Sequence, residues 1–351
     1  MRRLRDLYLV NPAVDAFVMG GASIALYAAC LLLEGNSGGA MLISAWEKFA
    51  IVTAAMNGSH FAATSYRLYR SPQAMRQFPL TAALVPVVVL AGVAASFRWP
   101  LAIAPYFIKL FLLWSPYHYS GQTIGLTALY ARRANVTLEP AERMALDGFV
   151  FSTFLASIGR AEAQLNRFDF LGDIAYPAFG LPSWVATVFM GSMAACGAAF
   201  LFFAARRAKR GQGLPWIVFL APATQFVWLV LGPSSALFYP FVPMFHGVQY
   251  LFISWFLHLQ ERRLEGAPRS LAGAATETFR WGGWSFVGYF VLFLAIPKIL
   301  AELTGLSFLF TTAVFTGGVQ LHHFFVDGVI WRLRTPHLSR AMTAPFSEVL
   351  G

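Results

Sequence analysis

Apolar runs of ~20 residues recur along the whole chain, and this pattern constrains the fold more than any other feature. Each run can cross the ~30 Å hydrocarbon core of a bilayer as a helix, in which every backbone polar group bonds within its own segment. Hydrophobic residues make up 58% of the 351 residues, and charged residues make up 12%. The sequence therefore predicts an all-α fold, a polytopic integral membrane helical bundle with about ten transmembrane helices.

The predicted spans are separated by short polar segments. In chain order they cover residues 14–33, 44–69, 80–97, 101–130, 145–158, 184–205, 215–231, 237–259, 281–303 and 306–331. The segment 145–158 is short and contains Asp147 and Ser152, so its full crossing stays open. No composition change marks a soluble domain, and we interpret residues 1–351 as a single membrane domain.

The basic residues occupy the connections between the apolar runs, and they give the chain a net charge of +10. With the N-terminus inside, all of the basic clusters fall on one side, at residues 2–5, 67–76, 132–143, 206–210, 262–269 and 332–340. This is the positive-inside pattern of membrane proteins. It predicts an integral protein of a bacterial inner membrane, with cytoplasmic segments 1–13 and 333–351 and an outer loop at 160–182. The lipid bilayer is then the partner that the charge indicates, and nucleic acid is excluded as one.

Four predicted spans each carry histidine well inside the apolar run. These residues are His60, His118, His246 and the adjacent pair His322 and His323. On the predicted topology all four helices run in the same direction, and the histidines lie roughly 10 to 24 Å from the basic ends. Helix tilt and a kink at Pro116 could bring them to one level. Because ionisable groups at membrane depth are costly, we expect a shared functional pocket.

A hydrogen-bonding residue follows each histidine by four positions, on the same helical face. The pairs are His60 with Thr64, His118 with Gln122, His246 with Tyr250, and His323 with Asp327. Imidazoles with a carboxylate suit iron, zinc, copper or nickel, and nitrogen-rich sites suit non-haem iron used with dioxygen. The pattern predicts a metal ion, with iron favoured and zinc or copper left open, held by these histidines. Asp327, Tyr250 and Gln122 are the candidate catalytic groups around it.

The ordered set of histidine motifs resembles a known family. The motifs are His60, His118-Tyr-Ser-Gly121, His246 within an aromatic helix, and His322-His-Phe-Phe-Val-Asp327 followed by Arg332. This order is similar to that of the Brp/Blh family of bacterial and archaeal membrane β-carotene cleavage dioxygenases, although the family has a further histidine where this chain has Tyr250. The resemblance implies a multi-span helical fold with an iron held by scattered histidines. The His-x4-Asp spacing of the family favours His322 as the partner of Asp327. The spacing of one helical turn, four residues, favours His323 instead.

These observations lead to one functional hypothesis and to several alternatives. The hypothesis is a metal-dependent integral membrane oxidoreductase or oxygenase that acts on a lipid-like or isoprenoid hydrophobic substrate from the bilayer. The main alternative is a transporter or channel with an intramembrane His and Asp relay for protons or ions. A haem held by two of the histidines also stays open, and so does simple packing of each histidine against a neighbouring helix.

Overall fold

The structure is a computed structural model that describes residues 7–35, 39–70, 72–163, 168–331 and 336–350. The described chain is almost entirely helical, which confirms the all-α prediction. Its helices are α1 (Pro12–Ala16), α2 (Ala22–Gly35), α3 (Gly39–Tyr69), α4 (Pro72–Gln77), α5 (Val85–Arg98), α6 (Ala104–Arg133), α7 (Pro140–Ala161), α8 (Ser183–Lys209), α9 (Ile217–Phe226), α10 (Val242–Leu264), α11 (Leu271–Phe290), α12 (Ile296–Thr304), α13 (Phe308–Ile330), α14 (Pro336–Thr343) and α15 (Ser347–Leu350).

Several predicted spans differ from the helices that form. Wider turns of π-helix at Phe17–Gly21, Leu80–Leu84, Val227–Leu231 and Val291–Ala295 join consecutive helical segments. The segment predicted at 145–158 is part of the 22-residue helix α7, whose first turn is closed by a capping box between Glu139 and Glu142. Hydropathy underestimated the length of this helix because its first turn is polar. In the structure the capping box satisfies the free backbone donors of that turn.

Apolar character distinguishes five helical stretches from the helices that carry the histidines. Within the described residues, five helical stretches are long and apolar enough to cross a membrane: Pro12–Glu34, Leu80–Arg98, Ser183–Lys209, Ile217–Ser234 and Leu271–Thr304. In three of them only 11% of the apolar window is buried inside the protein. These stretches indicate an integral membrane protein. The three little-buried stretches lie on the outside of the bundle, whereas Ile217–Ser234 is 61% buried.

The inner helices α3, α6, α10 and α13 carry the histidines, and they fall outside that apolar set because polar side chains interrupt their sequences. Helix α3 packs against α10 and α13, and α13 also packs against α6. Gly247 permits a close approach of α10 to α3, because a Cβ there would lie 3.0 Å from His60 Nδ1 and 3.0 Å from the Met56 carbonyl oxygen. The histidine-bearing faces therefore meet in the centre of the bundle.

The connection predicted as an outer polar loop at 160–182 contains the only strands in the described chain, β1 (Phe168–Leu171) and β2 (Ile174–Pro177), which pair antiparallel. The prediction of helices alone missed this hairpin, which is too short to give a strand pattern in the sequence. A buried ion pair between Lys109 and Glu162 lies beneath it, and the Lys109 ammonium also lies 4.9 Å from the Phe179 ring centroid. The loop is thus fastened to α6 and α7.

Both described termini are folded against one end of the bundle. Arg133 at the end of α6 is 1% exposed and donates hydrogen bonds to the carbonyl oxygens of Leu7, Tyr8, Met342 and Ala344, at 2.7 to 3.2 Å. The predicted tail 333–351 contains the helices α14 and α15, and the predicted segment 1–13 contributes buried residues. Both segments therefore contribute packed residues to this end of the bundle, and their side of the membrane stays a prediction. Residues 1–6 and 332–335, with the basic residues among them, lie outside the described residues.

Replacement of Arg133 by leucine is expected to destabilise the protein by at least about 3 kcal/mol, because buried carbonyl groups lose charged hydrogen-bond donors. Thermal unfolding of the detergent-purified protein measures this effect. Arg132→Leu changes the neighbouring, exposed arginine and is the matched control, with little expected change. Equal melting temperatures for the two variants would contradict the role of Arg133.

Candidate metal centre

Four imidazole rings from four different helices lie in mutual contact. Their centroids form a closed circuit: His60 to His323 at 4.8 Å, His323 to His118 at 4.6 Å, His118 to His246 at 5.0 Å, and His246 to His60 at 5.2 Å. Each contact is edge-to-face, with interplanar angles from 69° to 86°. The structure therefore brings together four of the five histidines that the sequence selected.

The rings are withdrawn from the surface, with exposed fractions of 0% for His60, 8% for His118, 1% for His246 and 1% for His323. Among the described residues, neither ring nitrogen of His246 has a hydrogen-bond partner, and those of His60 lack a well-formed one. A buried polar atom without a partner is costly, and native proteins satisfy nearly all of them. Imidazole nitrogens that face one another in this way fit the binding of a cation.

The Asp327 carboxylate meets two of the imidazoles. His323 Nε2 lies 3.0 Å from His118 Nε2 and 3.4 Å from Asp327 Oδ2, and His118 Nε2 lies 3.7 Å from the same oxygen. Metal bonds of about 2.1 Å place two ligand atoms about 3.0 Å apart at a right angle and about 3.4 Å apart at the tetrahedral angle. The separations of 3.0 and 3.4 Å match these values, and 3.7 Å corresponds to an angle of about 124° at the ion, so the three atoms can be ligands of a single ion.

Two overlapping groups of side chains could hold a metal ion. One contains His60, His246 and His323, and the other contains His118, His323 and Asp327. Within each group one ligand atom from every residue lies within 4.8 Å of the others. Since His323 belongs to both groups, all five side chains surround one small region.

Thr64 fixes the orientation of His323. Its Oγ1 lies 2.8 Å from His323 Nδ1 and 3.1 Å from the His60 carbonyl oxygen one turn earlier. Thr64 also donates to the Tyr250 hydroxyl at 2.6 Å. Since its single proton goes to that hydroxyl or to the carbonyl, Thr64 accepts a hydrogen bond from His323 Nδ1, which leaves the Nε2 lone pair directed at the cluster. Metal-ligating histidines commonly donate their other ring N–H in this way. Thr64 therefore acts on His323, on another helix, rather than on the ring of His60.

Tyr250 and Trp331 hold the other carboxylate oxygen of Asp327. The Tyr250 hydroxyl donates to Oδ1 at 3.0 Å, and the Trp331 indole nitrogen donates to the same atom at 3.2 Å. Both donors thus occupy Oδ1, whereas Oδ2 faces the imidazoles. The sequence pattern predicted Tyr250 but not Trp331. Trp331 follows Asp327 by four residues, which is the spacing that links each histidine to its predicted partner.

His322 lies outside the cluster, and its prediction as a metal ligand is corrected. Its Nε2 lies 3.0 Å from the Tyr69 hydroxyl, and the two rings are stacked with centroids 5.9 Å apart. Adjacent residues of a helix point about 100° apart, so His322 faces a separate groove while His323 faces inward. Asp327 follows His323 by four residues and His322 by five. The structure pairs Asp327 with His323, as the spacing of one helical turn predicts, and not with His322, as the His-x4-Asp spacing favoured.

Gln122 also has a different position from the one that its spacing suggested. Its side-chain nitrogen donates to the Gln249 side-chain oxygen at 2.9 Å and lies 3.3 Å from the carbonyl oxygen of His246. Gln249 in turn donates to the Met19 carbonyl oxygen at 2.7 Å. Gln122 therefore supports the backbone of the helix that carries His246 and makes no hydrogen bond to an imidazole of the cluster.

A cavity of about 340 Å³ reaches the cluster from one side, and we call it the chamber. His118, Asp327, Tyr250 and Gln122 supply its polar wall, and the other lining side chains are mostly aromatic or aliphatic. Ligand pockets commonly combine such an apolar lining with a few polar groups. The chamber gives an apolar molecule direct access to the side chains that could hold a metal ion.

Comparison of the chain with protein-family models, with curated proteins and with solved structures finds no match. The resemblance of the histidine motifs to the Brp/Blh family therefore stays a hypothesis.

Replacement of Tyr250 by phenylalanine is expected to weaken metal binding by about 10- to 100-fold, because Asp327 Oδ1 loses a donor that orients the carboxylate. Titration of the metal-free protein with Fe²⁺ or Zn²⁺ measures the affinity. Tyr27→Phe is the control, since Tyr27 packs on Phe238 in another part of the bundle. An unchanged affinity in Tyr250→Phe would show that this hydroxyl does not support the site.

Proposed function

We propose that this protein is a metal-dependent integral membrane oxidoreductase of the oxygenase type, with non-haem iron at the histidine cluster. The observation that carries the proposal is the closed circuit of four buried imidazoles beside Asp327, in which ring nitrogens of His60 and His246 have no well-formed hydrogen bond among the described residues. Nitrogen-rich sites with a carboxylate suit iron that is used with dioxygen. Zinc and copper would fit the same donors.

An iron ion at this place would supply redox chemistry with dioxygen, and the surrounding residues would position the reactants. Thr64 orients His323, while Tyr250 and Trp331 hold Asp327 against His118 and His323. Phe324 stacks on the His118 ring at a centroid distance of 4.7 Å, and so shields the cluster from water. Such shielding protects reactive states from side reactions with water.

A hydrophobic small molecule, of lipid-like or isoprenoid structure, is the substrate class that fits the chamber. The lining includes Trp114, Phe151, Leu126 and Ile253, and its few polar groups include His118 and Asp327 of the cluster. An apolar molecule would bind along the lining and present part of its length to His118 and Asp327. This substrate class agrees with the one that the Brp/Blh resemblance implies.

We further propose about ten membrane crossings with both termini on the cytoplasmic side of a bacterial inner membrane. Helices α3, α6, α7, α10 and α13 contain 31, 30, 22, 23 and 23 residues. At 1.5 Å per residue each exceeds the ~30 Å of the hydrocarbon core. Together with the five apolar stretches they support the expected number of crossings.

Metal analysis of the purified protein tests the metal centre. We expect about one equivalent of metal per chain, with iron as the main element, and a loss of most of it in His118→Ala and in His246→Ala, because each change removes a ligand. The control is His322→Ala. His322 is next to His323 in the sequence, but its side chain lies outside the cluster. Elemental analysis by mass spectrometry gives the stoichiometry.

The same measurement separates the proposal from a transporter with a His and Asp relay. A relay needs the titratable groups and no metal, so a metal-free wild-type protein would refute the oxygenase proposal. Equal metal loss in His322→Ala and His118→Ala would refute the assignment of the ligands. Retention of metal in His322→Ala, together with its loss in His118→Ala and His246→Ala, supports the assignment of the ligands.

The oxygenase activity can be examined with β-carotene, the substrate class of the family that the motifs resemble. Membranes that contain the wild-type protein are expected to bleach the carotenoid absorption and to consume oxygen, and membranes with His118→Ala are expected to do neither above background. Absorption spectroscopy with an oxygen electrode gives both rates. Oxygen uptake that is equal in the two membranes would contradict catalysis at the cluster.

A further inference from the structure

We propose that three glycines, Gly121 and Gly125 on α6 and Gly328 on α13, form a lateral portal through which a long apolar chain enters the chamber, and that Leu129 and Met342 close its far end. The proposal rests on the proposed function, because it assigns the route and the length limit for the substrate of the same site. All five residues line the chamber. None of them has a role in the metal centre.

The space beside the Cα of each portal glycine is open. A Cβ built on any of them meets no atom of the described residues within 4 Å, and all three positions are exposed. By contrast, a Cβ on Gly318 of α13 would lie 2.7 Å from Val93, so that glycine permits close contact between α13 and α5. Glycine within a helix costs about 1 kcal/mol relative to alanine. At the portal the missing side chains leave space at the mouth of the chamber.

The portal opens at the side of the bundle, between the ends of the inner helices. Gly121 and Gly125 lie one turn apart on α6, next to Tyr117, which is 48% exposed and stacks on Phe151 of α7. Gly121 lies near the middle of the 30-residue helix α6 and is exposed on its surface, so an opening there admits molecules dissolved in the bilayer. An apolar chain would then avoid transfer through water, which costs about 25 cal/mol for each Å² of apolar surface.

The far end of the chamber is closed. Leu129 is 2% exposed and Met342 is 1% exposed, and both belong to the same buried apolar cluster. Arg133 donates a hydrogen bond to the Met342 carbonyl oxygen at 2.7 Å, which holds the C-terminal helix α14 at this position. From His118 to Leu129 the face of α6 extends for about 16 Å. One arm of a bound chain therefore has a fixed maximum length.

The portal is tested by binding of a fluorescent long-chain polyene fatty acid to metal-free protein in detergent. Stopped-flow fluorescence is expected to show association at least about tenfold slower in Gly121→Leu and Gly125→Leu, because the side chains occupy the mouth. Gly191→Leu on α8 is the matched control, since Gly191 is also an exposed helical glycine with no atom within 4 Å of a Cβ. Gly125→Ala fills less of the mouth and is expected to lie between Gly125→Leu and the wild type.

The length limit is tested by competition with a series of straight-chain alcohols. Met342→Ala is expected to shift the preferred chain to longer alcohols, and Met342→Trp to shorter ones. Association rates in Gly121→Leu and Gly125→Leu equal to that of Gly191→Leu would overturn the portal. An unchanged length preference in both Met342 variants would overturn the closed end.

These outcomes are separate from those of the metal analysis. The binding measurements use metal-free protein, so a portal that fails in them leaves the metal stoichiometry unaffected. A wild-type protein without metal would refute the oxygenase, while slowed association in the glycine variants would still support the portal. Failure of the wild-type protein to bind the polyene would overturn the chamber as a site for long apolar chains.

Discussion

The burial of four imidazoles inside an apolar helical bundle is the constraint on which the rest of the structure depends. Polar groups withdrawn from water are costly unless they find partners, and a surrounding of lipid supplies none. The helices that carry His60, His118, His246 and His323 therefore take the centre of the bundle, and more apolar helices such as Leu80–Arg98 surround them. The same requirement explains why the inner helices are less apolar than the outer ones.

Support for the cluster extends to the end of the bundle that carries the ion pairs. Trp331, which donates to Asp327, lies beneath the Arg67 guanidinium carbon at 5.2 Å from the ring centroid. Arg67 in turn pairs with Glu261 at 3.0 Å, and Glu261 is 4% exposed. A buried charge needs a partner with good geometry. The pairing of Arg67 with Glu261 therefore fixes Trp331, and through it the carboxylate at the cluster.

Glycine has two opposite uses in this bundle. Gly247 and Gly318 lie where a side chain would collide with a neighbouring helix. Gly247 lets α10 approach the helix that carries His60, and Gly318 lets α5 pack closely on α13. Gly121 lies where a side chain would meet nothing, and its helix borders the chamber instead. Sequence alone does not distinguish these uses, because both are isolated glycines in apolar helices. The difference depends on what lies across from each residue.

The sequence by itself determined the all-α class and the approximate order of the apolar helices, because lipid leaves few alternatives to helices for long apolar runs. It also selected the four clustered histidines, Asp327 and Tyr250, since costly polar residues at membrane depth stand out against an apolar background. Only the tertiary structure decided between His322 and His323, and only it gave Thr64 and Trp331 their partners. Those contacts join residues on different helices, and helix rotation, which no local spacing specifies, determines which side chains meet.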